Sequence, residues 1–303
     1  MKLISFMPNQ NSLEEYNNLK DIFLELEIDG IETIISDYCP EEIYRALPIK
    51  GAHLIYFPDW LDFWLGKKNE CYGMYNKNEI VASFKSQFEL AKKYKVQYMV
   101  FHVSNVKTED IFTFSSTYSD WDVLSAILEI VNEVFIDEGP LLLFENLPWE
   151  GLNFRDYSLT KFFIESVNYK NKGFVLDLSH LMCLNKNIEN FDEGADFIIA
   201  ELEKIKELTR YIFGLHLNGS ISKKYISQDF DSLYEKWKNA NAYEKFSIEM
   251  EHIKAIDTHS IFESHKLKNI LNILPLKYIT LELAHTSLKN LLEKVKIQNI
   301  YLK

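Results

Sequence analysis

The sequence predicts an α/β protein, a single (β/α)8 barrel covering residues 1–303, and three observations carry that expectation. Short β-branched or apolar runs alternate with amphipathic segments from one end of the chain to the other, as repeated β-then-α units require. Most of the runs are continuously apolar rather than alternating, which suits parallel strands covered by helices on their outer side. The Gly-rich first turn of an open doubly wound sheet is missing. A barrel is typically about 250 residues, so 303 residues leave room for two long connections.

The expected strands are Lys2–Phe6, Gly30–Ile35, Gly51–Tyr56, Tyr98–Val103, Leu141–Asn146, Gly173–Leu178, Ile212–Leu217 and Tyr278–Leu283. After the first, Ser12 and Glu15 have the spacing of a capping box, and Leu19, Ile22, Phe23 and Leu26 follow at helical intervals. Asn78 to Tyr94 repeats the pattern with Ile80, Val81, Phe84, Phe88 and Leu90. Further helices are expected over Asp122–Phe135, Leu159–Val167, Phe191–Leu208, His259–Leu271 and Thr286–Val295, with a short one near Glu41–Ala46. The long connections run over about 57–76, which is aromatic, and about 218–276. Both leave strand C-termini, where a barrel carries its active site.

Composition narrows the class. The chain is 47% hydrophobic, ample for a buried core. It has no apolar run of about 18 residues, so no membrane span is expected. Cys39, Cys71 and Cys183 are odd in number and unrelated in spacing, which argues for reduced thiols in a cytoplasmic protein. The net charge of −12 weakens the case for non-specific nucleic-acid binding and favours a small-molecule substrate. No motif sets an oligomeric state.

The informative residues end the strands. His53 lies in the third, His102 in the fourth, Glu145-Asn146 at the end of the fifth, and Asp177 in the sixth with His180 just beyond. His216 lies in the seventh and Glu282 in the eighth, while Asp257 and His259 sit in the long connection between these two. A charged group is rarely buried unless paired or metal-bound, because desolvating a lone carboxylate costs several kcal/mol or more. One strand histidine would read as a satisfied core residue. Six strands sending such groups toward one barrel mouth read as a divalent-metal site. Imidazole with carboxylate suits Zn²⁺, Mn²⁺ or Fe²⁺.

In order, the motifs are Phe101-His102-Val103-Ser104, Glu145-Asn146, Asp177 to His180, His216-Leu217-Asn218, Asp257 to His259, and Glu282. This series resembles the xylose-isomerase-like barrel superfamily, and most of all its endonuclease IV (AP endonuclease family 2) branch. The resemblance implies that His53, His102, Glu145, Asp177, His180, His216, Asp257, His259 and Glu282 hold metal, up to three zinc ions. In the sugar isomerase and epimerase branches the set is smaller, here Glu145, Asp177, His216 and Glu282, around one ion. Glu145 and Glu282 are the candidate catalytic groups. Two features depart from the endonuclease pattern: about forty residues separate His216 from Asp257, and Ser260-Ile261-Phe262-Glu263 replaces a Gly-rich continuation.

Three functions stay open at this level. The first is metal-assisted hydrolysis of a phosphoester, either DNA or a smaller phosphodiester. The second is isomerisation or epimerisation of a sugar or sugar phosphate, with Glu145 and Glu282 exchanging a proton. The third is a catalytically silent binding barrel. Asn146, Asn218, Trp60 and Trp149 are candidate substrate contacts, with turn conformation and loop packing as their alternatives; packing is equally open to Trp64. Asp177 and His180 could simply pair at a helix start. The Lys223-Lys224 pair could meet a phosphate or lie solvated on the surface. His252, His265 and His285 fit no part of the pattern and read as packing or surface residues.

Overall fold

The computed structural model describes residues 1–36 and 40–302, so Cys39 lies outside the described residues. Eight parallel strands pair in chain order and close on themselves. They are β1 (Lys2–Ser5), β2 (Gly30–Ile34), β3 (Ile49–His53), β4 (Tyr98–His102), β5 (Leu141–Glu145), β6 (Lys172–Asp177), β7 (Ile212–Leu217) and β8 (Tyr278–Leu281). The closing pair joins β1 to β8, with Leu3 opposite Thr280.

Alternation along each strand explains both the apolar runs and the polar ends. Successive side chains point to opposite faces of a strand. Along β5, Leu141 and Leu143 enter the barrel interior with Leu3, Tyr98, Val100 and Val175. Leu142 and Phe144 face outward and join the larger core beneath the helices. Glu145 continues the inward series of Leu141 and Leu143, as His102 continues that of Tyr98 and Val100. Burying a side chain such as Phe144 contributes about 1.5–3 kcal/mol. An apolar barrel floor thus supports a polar ring at its C-terminal mouth.

Several expected elements shift. Most strands end earlier than the apolar runs suggest. β3 is Ile49–His53 rather than Gly51–Tyr56, because the chain leaves the barrel wall after His53 and Ile55 N–H donates to Gln87 Oε1 at 2.7 Å. Ser12 does not cap in a box: its Oγ accepts from Asn9 N–H at 2.7 Å, and the helix Ser12–Glu25 starts without a side-chain cap. The capping boxes that do form are Asn76 with Glu79, Ser119 with Asp122, and Asn241 with Glu244. Ile22, expected on the buried face, is 37% exposed. The span His259–Leu271 is helical only from Leu267 to Ile273. Its first part is not helical: His259 is left-handed at φ 43°, and Ser260 exchanges backbone hydrogen bonds with Gly219.

The long connections are themselves structured. Residues 57–76 contain the short helix Trp60–Trp64. Residues 218–276 contain the helices Lys223–Ile226, Asp231–Asn239, Ala242–Ile256 and Leu267–Ile273. Among the described residues no helix is long and apolar enough to cross a membrane. Cys71 and Cys183 are free thiols.

Candidate metal centre

Strand register brings the polar ring together. His102 lies opposite Glu145 and Asp177 opposite His216, so four ligand candidates share one level of the barrel. His53 ends β3, and Glu282 follows β8 immediately. His180 stands three residues beyond Asp177 on the short helix Leu178–Cys183, which Asp177 caps through a 2.7 Å bond to His180 N–H. Asp257 ends the helix Ala242–Ile256. The Gly219–Ser260 pairing, together with a 2.8 Å bond from Ala284 N–H to His259 O, holds the Asp257–His259 segment against β7 and β8.

All nine predicted residues meet, and they fall into three groups. His53 Nε2 and His102 Nε2 lie 3.2 and 3.0 Å from Glu145 Oε2. His216 Nδ1 lies 3.0 Å from Glu145 Oε1, 2.9 Å from Glu282 Oε2 and 3.7 Å from Asp177 Oδ2. Asp257 Oδ2 lies 2.8 Å from His259 Nε2 and 3.1 Å from His180 Nε2. Four donors about 2.0–2.1 Å from a tetrahedral ion would stand about 3.3 Å apart, so these separations fit ligands around shared ions as well as direct ion pairs. The His53/His102/Glu145 and Glu145/Asp177/His216/Glu282 sets could each hold an ion, as could Asp177/His180/His259.

The electrostatics agree. Burial alone would push Glu145 up, but the imidazoles of His216 and His102 hold it well below the usual carboxylate range. Glu282, subject to the same opposition, is held down at about 2, chiefly by His216. Burial pushes Asp177 up to about 6. Burial works against charge on His53, yet Glu145 raises it to about 9; Asp257 does the same for His259. Burial lowers His102. Within the cluster, Glu145 Oε2, Glu282 Oε2 and Glu32 Oε1 are buried and have imidazole nitrogens 2.9–3.2 Å away, but none of the three makes a well-aligned hydrogen bond, and neither does buried His102 Nδ1. A buried carboxylate oxygen without a well-aligned hydrogen bond is costly, and a cation among the imidazoles would satisfy the two at the centre. The donor set therefore fits a divalent-metal centre.

Exposure rises away from the centre: Glu145 is 1% exposed, whereas His102, Glu282 and His259 are 20, 21 and 22% exposed. A cleft of about 470 Å³ opens beside Glu282 and His259, lined in part by Ser5, Lys254, Asp257, His259, Glu282 and His285.

The expected substrate contacts are placed differently. Asn146 is fully buried, with its amide exchanging bonds with the backbone of Asp177 at 2.8 and 3.1 Å. Asn218, also fully buried, donates to Asp177 Oδ2 at 2.7 Å and accepts from Ser179 N–H at 3.0 Å. Both amides are spent on positioning Asp177 and the chain around it. Trp60 is buried beneath the loop, its indole N–H donating to Ser104 O at 2.9 Å. Trp149 packs beside Val106, Ile111 and Ile256. Trp64 is buried as well and donates to Glu129 Oε2. Lys223 pairs with Glu189. His252 is a core residue, bonded to Tyr225 Oη and Ile111 O and stacked on Phe112.

Three participants escaped the sequence reading. Glu32 of β2 is fully buried, with Oε1 3.1 Å from His216 Nε2. The signal was present: a glutamate in the middle of the apolar run Gly30–Ile35. Ser179 and Ser220 also escaped notice; both donate to Asp257 Oδ1, the latter at 3.2 Å.

No curated protein sequence matches the chain. Among solved structures, endonuclease IV from Thermus thermophilus is similar at 15% identity and a TM-score of 0.52, covering 99% of this chain and 98% of that one. The 3-keto-D-glucoside 4-epimerase YcjR from E. coli is similar at 11% and 0.52, covering 99% and 98%. A D-tagatose 3-epimerase-like protein is similar at 15% and 0.53, covering 99% and 96%. These likenesses support the fold and span different reactions. In sequence, residues 75–263 match the family described as xylose isomerase-like TIM barrel. The match spans more than half of a chain that also closes eight parallel strands around a His/Asp/Glu cluster, so this protein belongs to the xylose isomerase-like TIM barrel family and carries a metal site at its mouth.

Proposed function

We propose that the protein is a metal-dependent phosphoesterase whose substrate is a small phosphodiester rather than DNA. The observation that carries this reading is the surplus of donors. Glu145, Asp177, His216 and Glu282 suffice for one ion, yet His53 and His102 converge on Glu145 from one side, and His180, Asp257 and His259 cluster on the other. Divalent ions held by these groups would lower the pKa of water toward neutrality and neutralise charge on a phosphoryl oxygen. Zinc suits the donors.

Charge supports the same reading. Three divalent ions set against the carboxylates of Glu32, Glu145, Asp177, Asp257 and Glu282 leave one net positive charge, complementary to a phosphodiester. A single ion on Glu145, Asp177, His216 and Glu282 would leave His53, His180 and His259 protonated and the cluster close to neutral. Glu145 links two groups, with Oε2 toward His53 and His102 and Oε1 toward His216. Glu282 stands where the site opens to the cleft, and Lys254 on the cleft wall offers a cation to the substrate. The net charge of −12 disfavours a long polyanion.

A second reading, sugar isomerisation or epimerisation, draws on one specific feature: Glu145 and Glu282 both approach His216 Nδ1, at 3.0 and 2.9 Å. They could therefore exchange a substrate proton beside one ion. Metal analysis of protein purified without added metal separates the two. About three equivalents, with chelator-sensitive hydrolysis of bis(p-nitrophenyl) phosphate, is the expected result. About one equivalent without hydrolysis would transfer the assignment to the isomerase, and none would leave a silent barrel.

A further inference from the structure

We propose that Glu32 is a positioning residue that sets the tautomer and ring orientation of His216, so that Nδ1 rather than Nε2 faces the metal cluster. This rests on the reading of His216 as a metal ligand. The His216 ring is 1% exposed and its two nitrogens meet different surroundings. Nδ1 faces Glu282, Glu145 and Asp177 at 2.9, 3.0 and 3.7 Å. Nε2 faces Glu32 alone, 3.1 Å from Oε1 and 3.3 Å from Oε2. A neutral imidazole has one N–H and one lone pair. With the N–H on Nε2, donating to the Glu32 carboxylate, the Nδ1 lone pair is left for an ion among the three acids.

The other histidines are oriented the opposite way. His53 and His102 turn Nε2 toward Glu145, and His259 turns Nε2 toward Asp257. His180 places Nδ1 2.8 Å from the carbonyl of Asn146, which can only accept, so its Nε2 carries the lone pair, left for an ion beside Asp257. His216 alone of the five needs a partner on its Nε2 side, and that partner sits one layer below the mouth.

Glu32 is held there by the barrel itself. Its Oε2 accepts from Tyr98 Oη at 2.5 Å and from Thr280 Oγ1 at 3.0 Å. Tyr98 in turn can cross the barrel because Gly51 has no side chain: a Cβ there would lie 2.4 Å from the Tyr98 ring. The line Gly51–Tyr98–Glu32–His216 therefore runs from the apolar floor to the metal level. A carboxylate on the far nitrogen of a ligating imidazole fixes its tautomer and strengthens its donor atom.

Glu32, His53 and His216 also approach one another closely enough to hold an ion by themselves. That arrangement would claim Nε2 of His216, which could then serve the upper group through Nδ1 only as an imidazolate.

The test uses zinc as probe, with chelator competition for affinity and long-range ¹⁵N–¹H spectra of the zinc-loaded protein. Wild type should show His216 coordinated through Nδ1 with an exchange-protected Nε2–H. Glu32→Leu removes the acceptor and should weaken one zinc equivalent by roughly 10–100-fold, with loss of the protected proton. Glu32→Gln keeps a carbonyl acceptor, so it should retain that proton and recover most of the affinity. It also decides the matter if the leucine variant fails to fold. Wild-type affinity and an unchanged proton signal in Glu32→Leu would overturn the proposal. So would full loss of an ion in Glu32→Gln, which would make Glu32 a ligand. Unchanged zinc binding in His216→Ala would instead sink the ligand reading beneath it, an outcome distinct from the other two.

Discussion

Removing His53 or His102 asks most directly whether the site holds more than the four-donor set around His216. Each imidazole points Nε2 at Glu145 Oε2, at 3.2 and 3.0 Å, and neither approaches Asp177 or Glu282 as His216 does. If they share an ion with Glu145, His53→Ala or His102→Ala leaves that ion two of its three protein ligands. Zinc held by four ligands is worth about 10–16 kcal/mol, so one ligand is worth about 3–4 kcal/mol. At 1.4 kcal/mol per decade, affinity should fall by a few hundred-fold. Elemental analysis after gel filtration should show one equivalent lost from each variant, with wild-type far-ultraviolet circular dichroism and hydrolysis down by orders of magnitude. If the two histidines only contacted substrate hydroxyls, their loss would raise KM by about 1 kcal/mol per hydrogen bond and leave the metal in place. Unchanged stoichiometry in both folded variants would refute the multinuclear reading.

Glu145→Gln should abolish turnover and lower metal content, because the carboxylate belongs to two of the ligand groups; full activity on an identified substrate would remove it from the mechanism. Asn218→Ala should cost about 2–4 kcal/mol in denaturant unfolding, since it strands buried Asp177 Oδ2 and Ser179 N–H; a loss under 1 kcal/mol would contradict its positioning role. pH should move metal-free and metal-loaded protein in opposite directions. His53 and His259 have pKa values raised to about 9, so their pairing stabilises the metal-free fold fully below about 6.5 and is lost as pH rises through 9. Metal must displace those protons, so affinity should climb over the same interval. Thermal melts and chelator titrations from pH 6 to 10 check both slopes, and parallel slopes would count against the proton competition.

Much of the fold was legible because its signals are local. Strand alternation is a property of consecutive residues, so runs such as Leu141–Phe144 announced β5 and the residue ending it, Glu145, announced the mouth. Helix ends were less legible. Ser12 has a capping-box spacing, but Asn9 N–H occupies its hydroxyl, whereas Asn241 and Glu244 form a box inside a connection expected to be a loop.

What the sequence by itself determined was the barrel and the kinds of ligand at its mouth. Order along the chain maps onto order around a closed sheet, and period-two alternation decides which residues face inward. What only the tertiary structure decided were the assignments that depend on who reaches a group first. Asp257 and His259 join the site across about forty residues because Ser260 pairs with Gly219. Asn146 and Asn218 are buried and bonded to Asp177, and Trp60 is buried and bonded to Ser104, links that the sequence did not show. Glu32 gains its meaning from Tyr98, Thr280 and His216, partners on three other strands. A hydrogen bond has two ends, and for these residues the second end lies tens to hundreds of positions away, where no local pattern can find it.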